Sequence, residues 1–141
     1  MTGMAALAAQ KFVSLTTYKK NGDAVATPMW VGRDGDHLFV WTPADSWKVK
    51  RVRNDPRVTL VPCGRFGKPF KGAHSVAGTA EVITEPPIVH RLTEVIRRKY
   101  GLQFRVVTFI ERLAARGQKP RYILRIAVSR LTAAEAAGPS H

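Results

Sequence analysis

Alternation of apolar and polar positions dominates the first half of the chain, and helical stripes dominate the stretch after residue 85. Phe12 to Tyr18 is rich in β-branched and aromatic residues and predicts a strand. Asn21-Gly22 tolerates positive φ at both positions and predicts a hairpin turn, with Ala24 to Val31 as the returning strand. Asp34-Gly35-Asp36 makes the next turn, and His37 to Trp41 reads as a third strand. Ser46 to Arg53 interrupts this pattern as a short helix, capped by Asp45 or Ser46 and ended by Asn54-Asp55-Pro56. Arg57 to Cys63 is a fourth strand and Ser75 to Ile83 a fifth, with Val76, Gly78, Ala80 and Val82 on one face. Between them, Gly64 to Gly72 reads as a loop.

Pro86-Pro87 opens the helical part. Ile88, Leu92, Val95 and Ile96 form one stripe, closed by Gly101. A second helix is predicted near Phe104 to Arg116, with Val106, Phe109, Ile110 and Leu113 on its apolar stripe. Tyr122 to Leu131 reads as the last strand, and Met4 to Gln10 as a lead-in helix. The tight turns imply an antiparallel sheet closed into a small barrel. The expectation is one β-rich α+β domain over residues 1–131, with about six strands and three to four helices, followed by a flexible tail over residues 132–141.

The chain has 141 residues, 23 Lys and Arg against 10 Asp and Glu, and a net charge of +13. That excess points to an anionic partner: nucleic acid, an anionic membrane or a polyanionic small molecule. One cysteine, Cys63, excludes an intrachain disulfide and suits a reducing compartment. No apolar run reaches the ~20 residues that a spanning helix needs, and residues 1–10 are too short and mild for a signal peptide. These features predict a cytoplasmic protein with no membrane partner. His37, His74, His90 and His141 are scattered without ligand spacing, so no metal site is expected.

The stretch from Trp41 to Arg53 carries the chemistry. On a helix, Val49 and Val52 share the docking face, with Lys48 and Arg51 along one flank and Lys50 and Arg53 along the other. Thr42 and Ser46 place hydroxyls at the helix start. Hydroxyls, a helix N-terminus and nearby cations suit a phosphate. A solvated basic helix with a serine cap is the competing reading of the same residues.

Here the chain resembles the flavin-binding split-barrel superfamily that contains pyridoxamine 5′-phosphate oxidase. An aromatic-Thr pair, Trp41-Thr42, followed at the family's spacing by Ser46-Trp47-Lys48, matches its phosphate motif. The resemblance assigns Thr42, Ser46 and Lys48 to the cofactor phosphate. The family's second-strand Arg is missing: Ala26-Thr27-Pro28-Met29-Trp30-Val31 stands in its place. That stretch looks instead like the actinobacterial branch that uses the deazaflavin coenzyme F420, the F420-dependent oxidoreductase B branch. Lys11 to Thr17, Arg53-Asn54-Asp55-Pro56-Arg57-Val58, Val61-Pro62-Cys63, Gly78-Thr79-Ala80 and Arg98 to Phe104 are similar to that branch as well. One departure is the absence of an aromatic residue before Gly78, where His74-Ser75-Val76-Ala77 stands.

The resemblance implies an FMN-binding split β-barrel fold and a homodimer with cofactor clefts between subunits. It implies an oxidoreductase that transfers a hydride between reduced F420 and a small conjugated organic substrate, with no catalytic side chain identified. Thr27, Pro28 and Met29 would contact the flat ring, and Trp41 would flank the motif. Lys48 would meet the phosphate, with Lys50, Arg51 and Arg53 towards the oligoglutamate tail. Trp30 fits core packing better than ligand contact. Lys48→Ala is expected to weaken coenzyme binding far more than Lys119→Ala. FMN in the same fold is the first rival. A basic barrel that binds single-stranded nucleic acid is the second and weaker one, since the aromatic residues do not alternate along one strand face. A cofactor carrier without turnover is a third.

Overall fold

The structure, a computed structural model, describes residues 2–115 and 120–128. Its elements are α1 (Thr2–Ala8), β1 (Val13–Tyr18), β2 (Ala24–Met29), β3 (Val31–Asp34), β4 (His37–Pro43), α2 (Trp47–Asn54), β5 (Arg57–Pro62), β6 (Val76–Ile83), α3 (Pro86–Tyr100), α4 (Leu102–Ala115) and β7 (Arg121–Val128). The expected tail, the end of the last strand at residues 129–131, Arg116 and Lys119 lie outside the described residues.

All seven strands form one antiparallel sheet in the order β2-β1-β5-β6-β7-β4-β3. The two edge strands, β2 and β3, are consecutive in the chain and separated only by Trp30. The sheet must therefore curl until its edges meet, which makes the split barrel of the expected fold class. The strand count differs from the expected six because Ala24 to Val31 is two strands. Met29 pairs with Val13 of β1, whereas Val31 pairs with Val40 of β4. Trp30 turns the corner, and its ring stacks on Tyr100 at 4.5 Å between centroids.

Strand alternation divides the apolar residues between two cores. Val13, Leu15, Leu38, Val40, Leu60, Leu124 and Ile126 fill the inside of the curl. Phe39, Trp41 and Ile123 point out the other side, where they meet Leu92, Ile96 and Tyr100 of α3 and Phe104 of α4. β4 is consequently buried on both faces and reads as a near-continuous apolar run.

Gly101 separates α3 from α4 and sits at φ 52°, a left-handed conformation that glycine adopts without steric cost. Just before it, two side chains staple α3 to the chain's beginning. The Lys99 ammonium donates to the carbonyls of Ala8, Gln10 and Val31 at 2.7–2.8 Å. The Tyr100 hydroxyl accepts from the Val31 amide at 3.0 Å and donates to the Lys11 carbonyl at 2.8 Å. Burial pushes that phenol up to about 12. Tyr100→Phe strands the Val31 amide and should cost about 1–3 kcal/mol. Urea unfolding reads that loss, and an unchanged midpoint would show the bond to be dispensable.

The apolar stripe of α4 faces outward. Val106, Phe109, Ile110 and Leu113 are all exposed, and Phe104, Thr108 and Glu111 face the protein instead. The inward positions are held by Phe104 against Trp41, at 5.1 Å between centroids, and by an ion pair between Glu111 and Arg121 of β7.

Candidate functional site

The β4–α2 turn builds the site. β4 ends at Pro43, the Ala44 amide donates to the Pro120 carbonyl at 3.0 Å, and the Ser46 amide donates to the Pro43 carbonyl at 3.1 Å. Ser46 is the N-cap residue in an extended conformation, yet its side chain caps nothing. Its hydroxyl instead shares a hydrogen bond of 3.2 Å with the buried Thr42 hydroxyl. Because Val49 supplies the first amide bonded back into the helix start, to the Ser46 carbonyl, the amides of Trp47 and Lys48 have no intrahelical partner. No acidic residue occupies the first turn. Val49 and Val52 bury themselves in the barrel core and fix the helix across its end.

Lys48, the second residue of the helix, is half-buried. Burial holds its ammonium below the usual lysine range, and the neighbouring Arg51 cation lowers it further. Among the described residues no carboxylate reaches Lys48 to form an ion pair. A partly desolvated cation without a counter-charge is costly, and an anion bound at this place removes the cost.

On the outward side of α2 lies a pocket of about 380 Å³ lined by Tyr18, Lys19, Lys20, Trp47, Lys50, Arg51 and Asn54. Its charged residues are all cations. Trp47 is 67% exposed, and the Lys50 ammonium lies 4.3 Å from its ring centroid.

The structure thus brings Thr42, Ser46 and Lys48 to one helix start, with Lys50 and Arg51 in the pocket alongside. It does not gather the remaining expected residues there. Trp41 faces away from Thr42, as strand alternation requires, into the outer core. There its indole N–H donates to Thr93 Oγ1 at 3.1 Å, and the Arg121 guanidinium lies 4.0 Å from its ring. Thr27 and Pro28 are half-buried on the edge strand β2, opposite Leu15 and Ser14, while Met29 is only 9% exposed and belongs to the inner core. Trp30 packs against the outer core as expected.

Sequence reasoning missed Tyr18, Lys19, Lys20 and Asn54. The Lys19-Lys20 pair before the Asn21-Gly22 turn was a visible charge signal. That the hairpin end comes over α2 was not visible. Cys63 is buried and its thiol is pushed up by burial, consistent with packing. Among the described residues no group of three or more His, Cys, Asp or Glu side chains could hold a metal ion, and no helix is long and apolar enough to cross a membrane.

The family model of pyridoxamine 5′-phosphate oxidase matches residues 4–134. No curated protein sequence matches the chain. Among solved structures, a conserved hypothetical protein from Mycobacterium tuberculosis aligns with a TM-score of 0.68 and 22% identity, over 92% of this chain and 80% of the other. An F420 reductase aligns with a TM-score of 0.58 and 17% identity, over 88% and 91% of the two chains. An FAD-binding protein from Mesorhizobium loti gives a TM-score of 0.58 and 22% identity, over 90% and 87%. Identities this low speak for the fold.

Proposed function

Because the chain belongs to the pyridoxamine 5′-phosphate oxidase family, we propose that it is an oxidoreductase of that family's F420-using, actinobacterial branch. In this reading it works in the cytoplasm as a homodimer and transfers a hydride between reduced F420 and a small conjugated organic substrate. The observation that carries the reading is the half-buried Lys48, without a carboxylate partner among the described residues, in the first turn of the helix whose start holds the linked hydroxyls of Thr42 and Ser46. A phosphodiester fits that donor set: two hydroxyls, the amides of Trp47 and Lys48, and one cation.

In this reading Thr42, Ser46 and Lys48 hold the phosphate. Lys50 and Arg51, with Lys19 and Lys20, attract the carboxylates of the oligoglutamate tail into the basic pocket. Thr27 and Pro28, half-buried on the edge strand, would contact the ring, with Met29 backing them from the inner core and Trp41 supporting the motif from the outer one. The coenzyme supplies the hydride chemistry when bound, and the protein binds, orients and excludes water. The lack of an arginine in Ala26 to Val31 favours F420 over FMN. The Trp47–Lys50 contact counts against the nucleic-acid reading, because the ring's face is already occupied by an ammonium.

Titration of tryptophan fluorescence with oxidised F420, reduced F420 and FMN tests the reading. Tighter binding of F420 than FMN is expected. Preference for FMN would return the chain to flavin chemistry. Steeply salt-dependent oligonucleotide binding without any for F420 would favour nucleic acid.

The Lys48 shift also sets a pH dependence. A bound anion favours the ammonium, so binding takes up protons once the free group begins to lose its charge. Affinity should fall as pH rises through the depressed Lys48 value. In the free protein the sign is opposite: the buried charge is a cost below the folded value, relieved as pH climbs towards the unfolded one. Titrations across pH 7 to about 10.5 check this, and a flat affinity would mean that Lys48 does not meet the anion.

A further inference from the structure

We propose that the outer face of α4 is a contact surface for a second copy of this chain. The homodimer belongs to the reading above; the contacting face is new, and it does not depend on which anion the site holds.

α4 has its amphipathicity turned outward. Its inward positions are Phe104, Thr108 and Glu111, and its outward ones Leu102, Val106, Val107, Phe109, Ile110 and Leu113, with exposures from 38% to 75%. A solitary helix docked on a barrel would place the apolar stripe inward. Here Glu111 is committed to Arg121 instead, and that pairing fixes the helix's rotation.

The area argues for a permanent partner. These six side chains expose on the order of 600 Å² of largely apolar surface, at the top of what monomers tolerate. Two such faces together remove roughly 1,200 Å², the lower bound of a standard stable interface. The spacing argues for a helix as that partner. Leu102, Val106, Phe109 and Leu113 recur at four, three and four residues, the seam by which two helices interdigitate. A second copy presents the same seam, and a twofold axis makes the patch self-complementary.

The helix is also tied to the anion site. Arg121, bonded to Glu111, pairs in register with Pro43 at the end of β4, and the Ala44 amide is held by the Pro120 carbonyl. The partner copy would thus brace the element that carries Thr42 and Ser46. The flanking Arg105 and Arg112 and the net charge of +13 repel between copies, so added salt should tighten the dimer.

Sedimentation velocity of the full chain over a concentration range tests this. Dimer is expected for the wild type, and for Phe66→Glu, a control at an even more exposed aromatic on the β5–β6 loop. Phe109→Glu with Leu113→Glu should give monomer, with dimerisation at least ~100-fold weaker. A wild-type monomer at all concentrations would overturn the dimer itself. A dimer untouched by the double substitution would overturn the face alone. Monomer that instead pellets with phosphatidylserine vesicles, weakening with salt, would give the face to a lipid surface. Should the double variant not fold, hydroxyl-radical footprinting of the wild type decides: Leu102, Phe109 and Leu113 must become protected as concentration rises.

Discussion

Lys48→Ala is expected to weaken binding of the proposed coenzyme, F420, by roughly 10- to 100-fold, whereas Lys68→Ala, on the exposed β5–β6 loop, should leave it within about threefold. Removing a hydrogen bond to a charged group costs about 1.5–3 kcal/mol, and the half-buried setting of Lys48 places it in the upper part of that range. Lys68 is solvated, so its loss changes only the long-range field. Thr42→Val is the companion: it removes the partner of the Ser46 hydroxyl while keeping the shape. Calorimetric titration of the three variants gives the answer. Equal losses at Lys48 and Lys68 would mean that the ligand senses net charge, not a built site. In the free protein Lys48→Ala should not lower stability much, since the cation it removes has no counter-charge.

Phe39→Ala should destabilise the protein by about 3–5 kcal/mol, a large part of the 5–15 kcal/mol typical of a domain. Phe39 is fully buried, at the point where β3, β4 and α3 share the outer core. Its ring lies on Gly32 of the paired strand: a Cβ there would stand 2.5 Å from Phe39 Cζ. Glycine at 32 is therefore a packing requirement of its cross-strand neighbour. Gly32→Ala should destabilise the wild type and lose most of that effect in the Phe39→Ala background, where the cavity accepts the methyl group. Urea denaturation of the four proteins of this cycle measures the coupling. Strict additivity would show that ring and glycine do not meet.

Much of the architecture was legible before any coordinates. Alternation located the strands because side chains on a pleated strand change face at every residue, whatever they pack against. Asn21-Gly22 and Asp34-Gly35-Asp36 marked their turns because few residues tolerate the backbone angles there. The grouping of Thr42, Ser46 and Lys48 was legible for a related reason. Thr42 and Ser46 bracket a single turn, so their contact at 3.2 Å follows from chain geometry over four residues. Lys48 lies on the same short helix.

Other features depended on partners distant in the chain. Ala24 to Val31 looks like one strand, and nothing local shows that Met29 belongs to β1 and Val31 to β4. Lys19 and Lys20 became part of a pocket only because the hairpin end meets α2. Trp41 adjoins Thr42 in sequence but serves the other core.

What the residues by themselves determined is which side chains share a face and which short turns gather hydroxyls and cations, since both follow from backbone periodicity. What only the tertiary structure decided is what each face meets. The α4 stripe shows this most clearly. Its period is helical either way, but whether it points in or out was set by Phe104 docking on Trp41 and by Glu111 reaching Arg121. A periodic pattern carries no information about such long-range pairings. They come from the competition among all surfaces seeking burial when the sheet closes.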